Sequence, residues 1–444
     1  MILPMYRLTS CIAFLALLGC ASPSDRKVSE PVWSASTTLP RIDTIPASAG
    51  PEDLVRLALA RNPSLRELQA KADRLAQKPP QDATLPDPMV EIAALGSMAE
   101  TAAGRMEAMG GIKQKVPFPG KRREAAAAST READAALRDL EAMKLKVVEQ
   151  VRSAWWDYYL SSESDRITRE SRKLLDAMIQ SAAARVAAGT GDQADQLRLA
   201  NEATQLDSDL AEARRMTGTA RARLNSLLDR PAGAALPAAR ATALPGTGTL
   251  DSLLSRAAER HPEIQAATLR NQAYQHRLAR AELEKFPDLT LGIAGASISS
   301  SGLSRVSNGR DQIYGTLGFN IPLWQEPRKA MIREAESGLR ETEALVDATR
   351  ADLRYRIEDA WNRASAAREI IGLFESRLVP DGEQAHQVTL ASYTADQAPF
   401  NDLIDTWRSL LTYKLQLAAA RTQLGKADAS LRAAAALDTF NERK

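Results

Sequence analysis

The chain is expected to be mainly α with a small β part, built as a duplicated helix–strand–strand–long helix–turn–helix. Three observations carry that expectation. Val116-Pro117-Phe118-Pro119-Gly120-Lys121-Arg122-Arg123 breaks the chain sharply, and no proline follows until Pro231. The same event recurs at Ile321-Pro322-Leu323-Trp324-Gln325-Glu326-Pro327-Arg328-Lys329, with a proline-free run to Pro380. Landmarks also repeat at an offset of about 200 residues: Arg61-Asn62-Pro63 is answered by His261-Pro262-Glu263, Pro86-Asp87-Pro88 by Phe286-Pro287-Asp288, and Trp155 by Trp361. Self-similarity at a long fixed period marks an internal duplication.

Residues 1–19 read as a secretory signal, with Arg7 before the apolar run Ile12-Ala13-Phe14-Leu15-Ala16-Leu17-Leu18. Leu17-Leu18-Gly19-Cys20 resembles the bacterial lipobox, which implies lipidation of Cys20. An ordinary signal with an incidental cysteine is the alternative. The only other cysteine is Cys11, so a lipidated mature chain has no disulfide framework. Ala21 after the cysteine, by the same resemblance, favours the outer membrane. Residues 20–50 are rich in Ser, Pro and Thr and read as an extended arm.

The first repeat is expected over residues 51–230. Pro51-Glu52-Asp53 suits a helix start, with proline in the first turn and acids at the positive end. One helix should run from there to about Gln77, stopped by Lys78-Pro79-Pro80. Strands follow at about 88–97 and 105–117. Beyond Gly120 a single helical pattern extends to about Ala188, a rod of roughly 100 Å at the α-helical rise. Leu140, Val147, Val151, Ala154 and Tyr158 recur on heptad-like spacing, with Leu137 at the start of the run. Gly189-Thr190-Gly191-Asp192 breaks it, so a hairpin tip is placed at about 188–195. A returning helix runs to Leu228.

After a Pro/Gly/Ala linker at 231–249, the second repeat occupies 250–431, with strands at about 288–298 and 311–322 and a tip at about 392–402. A tail of 432–444 follows. Leu289, Leu291 and Ile293 alternate with Thr290, Gly292 and Ala294; Ile313, Leu317, Phe319 and Ile321 alternate with Tyr314, Thr316, Gly318 and Asn320. Such alternation suits a lipid-facing wall around a wet lumen. Four strands cannot close a barrel alone, but several copies could.

Composition narrows the alternatives. Charged residues are 26% and aromatics 5% of the 444 residues, and the formal charge is +2, which makes no electrostatic case for nucleic acid. The basic cluster Lys113, Lys115, Lys121, Arg122 and Arg123 has little aromatic interleaving. It reads as a lumen wall and tunnel rim, with the residues after Gly120 facing the aqueous boundary. No apolar run reaches the roughly eighteen residues of a membrane-spanning helix. His261, His276 and His386 lie in separate segments without metal-ligand spacing, and surface or capping roles are expected for them. No nucleophile elbow, zinc-protease motif or phosphate loop is present, so no catalytic residue, cofactor or resident metal is expected.

The lipobox, the duplicated plan, Leu85-Pro86-Asp87-Pro88 and the two proline junctions together resemble the outer-membrane factor (TolC-like) family. They resemble most its heavy-metal branch, serving cobalt–zinc–cadmium and copper efflux. That resemblance covers roughly Pro51 to Leu431. It implies a homotrimer in the outer membrane of a Gram-negative bacterium, whose twelve-strand barrel continues as a periplasmic α-helical tunnel. It also implies a periplasmic membrane-fusion adaptor and an inner-membrane proton-driven pump of the RND type as partners. The junction residues Pro117, Pro119, Gly120, Pro322 and Pro327 then mark the handover from barrel to tunnel.

By the same resemblance, Asp195, Asp402 and Asp405 are gate candidates at the periplasmic entrance, and Arg185 and Tyr393 take part in locking the tips. Gly189, Thr190, Gly191, Thr394 and Ala395 become the adaptor-contact tips. Asp402 and Asp405, three apart on a helix, share a face. Threefold symmetry would make each a ring of carboxylates. Solvated acids at a helix start are the other reading. Pro399 between the tip and Asp402 implies that the second tip is rebuilt. The expected function is a passive exit duct for heavy-metal cations. Drug efflux, protein secretion and a lipid-anchored periplasmic coiled-coil scaffold are the alternatives.

Overall fold

The computed structural model describes residues 45–438 apart from 95–99, 243, 245, 247 and 301–302. The signal segment, Cys20 and most of the N-terminal arm lie outside the described residues. The first repeat runs α1 (Pro51–Arg61), α2 (Pro63–Ala76), α3 (Lys78–Ala83), β1 (Met89–Ala94), β2 (Glu100–Thr101), β3 (Gly104–Val116), α4 (Lys121–Ala187) and α5 (Gln193–Leu227). The second runs α6 (Leu250–Arg260), α7 (Pro262–Leu283), β4 (Leu289–Ile298), β5 (Gln312–Phe319), α8 (Gln325–Leu373), a π-helical turn (Phe374–Leu378), α9 (Val379–Thr394) and α10 (Phe400–Ala434).

The first helix is broken where one was expected. Asn62 leaves helical geometry and caps α2, its Oδ1 accepting from the Ser64 amide at 3.0 Å while its Nδ2 donates to the Leu227 carbonyl at 3.1 Å. Lys78-Pro79-Pro80 does not end helical structure either. The prolines fall in the first turn of α3, where their missing donors cost nothing. Pro380 is accommodated in the same way: it opens α9 directly below the π-helical turn.

His261 stands in the second repeat where Asn62 stands in the first. Its Nδ1 accepts from the Glu263 amide at 3.2 Å, and its Nε2 lies 3.3 Å from the Ala433 carbonyl. A neutral ring protonated on Nε2 satisfies both contacts. Burial pushes its pKa below 6.5. Folding therefore favours the neutral ring, and that stability is present above pH 6.5 and lost as pH falls towards the lower folded value. His261→Asn, which copies the first repeat, is expected to fold with a change within about 1 kcal/mol. It should also flatten the acid limb of a stability–pH curve measured by thermal unfolding.

The strands form one antiparallel sheet in the order β1-β3-β4-β5, with β2 paired to the far end of β3. Register places Val90, Ile112 and Ile293 in one row and Leu291 beside Leu317 and Leu289 beside Phe319 in the next, all on one face. The opposite face carries Glu91, Lys113, Lys115, Thr290, Thr316 and several glycines, with Lys113 Nζ 2.5 Å from Glu91. The apolar face is uncovered in the single chain: Ile92, Ile293, Ile313, Leu317 and Phe319 are all exposed. A bulge between Met106 and Ala108 shifts the register at the far end of β3. β1 and β5 are open edges.

Three clusters of buried side chains hold the helices. Leu54, Val55 and Ala58 of α1 pack on Val147, Val151 and Trp155 of α4 and Leu224 of α5. The counterpart in the second repeat packs Leu253 and Ala257 of α6 on Ile357 and Ala360 of α8 and Leu431 of α10. The third cluster joins both hairpins far from the sheet. Leu137, expected on the buried seam, is exposed in the single chain. Residues 432–438 are not a loose tail: α10 continues to Ala434, and Asp438 is gripped by Arg152 and Arg432.

Lys121 corrects the expectation that the basic residues after Gly120 face the aqueous boundary. It is 5% exposed. Its ammonium donates to Asp288 at 2.9 Å, Glu284 at 3.0 Å and the Phe286 carbonyl at 3.2 Å. Asp288 also accepts from the Phe118 amide at 2.9 Å and pairs with Lys115 at 3.1 Å. Phe118 stacks on Phe286 with ring centroids 4.5 Å apart. Gly120 has φ +99°, and a Cβ there would meet Leu283 at 2.9 Å. The first junction is thus keyed into the segment that enters β4. Of its basic residues only Arg123 is fully exposed, and Arg122 donates to the Ala83 carbonyl at 2.8 Å. The second junction is open, with Leu323 and Trp324 exposed, Pro322 half-buried and Pro327 in the first turn of α8.

Candidate functional site

The two hairpin tips lie side by side because their helices share the third core cluster. Leu175, Met178 and Ala182 of α4, Leu199, Ala203 and Leu206 of α5, and Phe400, Leu403, Ile404 and Trp407 of α10 exclude water from their contact. Trp407 Nε1 donates to the Ser171 carbonyl at 3.3 Å, which fixes the register of one hairpin on the other.

Each tip ends its first helix in the same way. In the first, Gly189 has φ +77° and the Thr190 amide donates back to the Arg185 carbonyl at 3.0 Å. In the second, Asp396 takes the left-handed position with φ +61°, and the Gln397 amide donates to the Ser392 carbonyl at 2.8 Å. This closure satisfies helix-end carbonyls and normally uses glycine. Asp396 stands there with its carboxylate held by Arg185. Pro399, extended at φ −70°, precedes α10, so the second tip is differently built from the first.

Arg185 is the centre of the arrangement. Its guanidinium lies 4.5 Å from the Tyr393 ring centroid, donates to the Tyr393 carbonyl and pairs with Asp396. It also reaches back to the Thr190 carbonyl at 3.4 Å. Tyr393 is 4% exposed and meets Phe400 edge-on at 6.1 Å. Burial, and then the neighbouring Asp192, push the Asp195 carboxyl above its ordinary value. Arg198 lies 3.8 Å from Asp195 and donates to Asn401 at 2.9 Å, a second link between hairpins. Arg408 to Glu202 is a third.

Asp402 and Asp405 do not join this cluster. Both project to solvent on the face of α10 opposite Leu403, Ile404 and Trp407. Asp402 lies in the first turn of the helix, and Asp405 is 3.8 Å from Arg408. Gly189, Thr190, Thr394 and Ala395 are exposed, and Gly191 is half-covered. Sequence reasoning missed Asp396, Arg198 and Arg408. Their partners lie about 200 residues away, and only a charged residue at a helix-ending turn hinted at Asp396.

Arg185→Gln should break the link to Asp396 and weaken the ring contact while leaving the buried cluster in place. The expected result is a several-fold rise in conductance of the reconstituted protein with little change in melting temperature. An unchanged conductance would show that Arg185 does not hold the tips.

Among the described residues no group of three or more His, Cys, Asp or Glu side chains is placed to hold a metal ion. His276 pairs with Glu124 at 2.8 Å, and this hydrogen bond lowers the carboxyl's pKa. No described helix is long and apolar enough to cross a membrane.

Comparison with known proteins gives this arrangement a context. Residues 253–437 match the family described as outer membrane efflux protein. The cobalt-zinc-cadmium resistance protein CzcC of Cupriavidus metallidurans is 24% identical over 318 residues, spanning 68% of this chain and 70% of that one. The crystal structure of the outer membrane protein VceC from Vibrio cholerae superposes with a TM-score of 0.73 at 19% identity, covering 87% of this chain and 95% of VceC. A structure of CusC, described in terms of folding and transmembrane channel formation, gives 0.73 at 16% identity, covering 93% and 99%. The chain thus carries a sequence similar to the outer membrane efflux protein family in its second half and shares the fold of these solved outer-membrane proteins over most of its length.

Proposed function

We propose that the chain is the passive outer-membrane exit duct of a tripartite efflux system exporting heavy-metal cations. The observation that carries this reading is the sheet. Its uncovered apolar face, its polar opposite face and its two open edges suit one-third of a closed barrel. Four long strands in each of three copies make twelve. The scaffold alternative requires loops where β1, β3, β4 and β5 stand. The long helices leaving the sheet continue the wall as a tunnel, and the paired tips form its periplasmic entrance.

In this reading the chain performs no reaction and holds no cofactor. A lipid on Cys20 anchors it, and a periplasmic adaptor docks on Gly189, Thr190, Gly191, Thr394 and Ala395. An RND-type pump in the inner membrane drives transport. Asp402 and Asp405, exposed and repeated threefold, would attract cations to the mouth. The resemblance to CzcC supports metal as cargo.

A strain lacking the gene, challenged with cobalt, zinc, cadmium, copper, drugs and secretion substrates, is expected to lose metal tolerance. Loss confined to drugs or secretion would replace the cargo assignment. Heat-modifiable mobility after carbonate washing of the outer membrane tests the barrel itself.

A further inference from the structure

We propose that His386 is a pH-sensitive latch on the entrance, so that mild acid favours its opening; this rests on the duct reading above. His386 is 4% exposed in α9, and neither ring nitrogen has a hydrogen-bond partner. A neutral imidazole tolerates such a site at modest cost, whereas an imidazolium there has no acceptor. The helices pack closely nearby: a Cβ on Gly382, one turn away, would sit 3.1 Å from the Tyr413 ring of α10.

The charges around the ring oppose its protonation. Lys414 on α10 is a cation that acts on it, and Glu383 on α9 is engaged with that lysine at 2.6 Å. At the π-helical turn Glu375 pairs with Arg421 of α10 at 2.7 Å. At the tip, Arg185, Asp195 and Asp396 are the charged groups that act on Tyr393. Burial, followed by Lys414, pushes the His386 pKa below 6.5. A state in which α9 parts from α10 and wets the ring restores the ordinary value. Protons therefore favour the parted state as pH falls below 6.5.

The position of α9 makes this local event consequential. It begins under the π-helical turn, a irregular hydrogen-bonding step often found at functional sites. It ends on Tyr393, whose ring and carbonyl hold Arg185 of the other hairpin. Parting α9 from α10 thus pulls on the link that keeps the tips together.

The test is single-channel conductance of the reconstituted full-length protein at pH 7.5 and 5.5. The wild type should open several-fold more often at pH 5.5. His386→Leu and His386→Gln should behave alike at both values, near the wild type at pH 7.5. Asp195→Asn should retain the response, since its carboxyl is not the sensor. Should both histidine variants fail to assemble, Lys414→Gln keeps the ring and removes the adjacent cation, and should move the midpoint upward towards pH 6.5. A wild type that conducts equally at both values, a response that survives in the histidine variants, or an unmoved midpoint in Lys414→Gln overturns the proposal. Absence of conductance at every pH would instead overturn the duct reading.

Discussion

Trp407→Ala is expected to separate the two hairpins at their tips. Trp407 is 2% exposed at the centre of the cluster that joins α4, α5, α9 and α10. Truncating a buried tryptophan typically costs about 3–5 kcal/mol through lost burial and the cavity left behind. Surface pairs such as Arg198–Asn401 and Arg408–Glu202 cannot compensate, because exposed links are each worth about 1 kcal/mol or less. The loss should appear as a lowered melting temperature, protease cleavage near 188–192 and 395–399, and raised conductance. Trp407→Phe retains most of the burial and loses the bond to Ser171, so it should cost about 1–2 kcal/mol. Equal resistance to protease in wild type and Trp407→Ala would mean that this cluster does not hold the tips.

Lys121→Met should have an effect of similar size at the opposite end. Removing one partner of a buried ion pair costs about 3–5 kcal/mol when the remaining charge is left uncompensated; Asp288 keeps Lys115 and the Phe118 amide, which places this loss at the lower end. Asp288 and Glu284 would both lose their shared ammonium. The expected readout is a reduced yield of heat-modifiable protein, with Lys121→Met/Asp288→Asn recovering part of it.

Asp288 also sets the sign of the acid response at this junction. Burial alone would raise its pKa, but Lys121, the Phe118 amide and Lys115 outweigh burial and hold it below 3.8. Its stabilisation is thus present above the unfolded value of 3.8 and lost as pH falls through the lower folded value. Wild-type assemblies should weaken there, while the double variant shows a smaller acid loss in the same denaturation series.

The two ends differ in how far their chemistry could be read in advance. Proline and glycine at Pro117, Pro119 and Gly120 act through their own backbone, so the junction was legible as a break. Lys121 beside them was not. A lysine after a helix start reads as solvated until the chain brings Asp288, about 170 residues on, against its ammonium. At the tips, Gly189 and Asp192 announced a turn by local conformational preference. Arg185 and Tyr393 were legible only through resemblance, and Asp396 was missed because an aspartate in a left-handed turn has meaning only beside its arginine.

By itself the sequence determined the duplicated plan of strand pairs and long helices, because periodicity and proline act within a few residues. Tertiary structure decided which charges are buried, which caps are shared between Asn62 and His261, and how the two hairpins are joined at their tips. Those properties belong to pairs of residues far apart in the chain. Their energies appear only when folding removes the water between them.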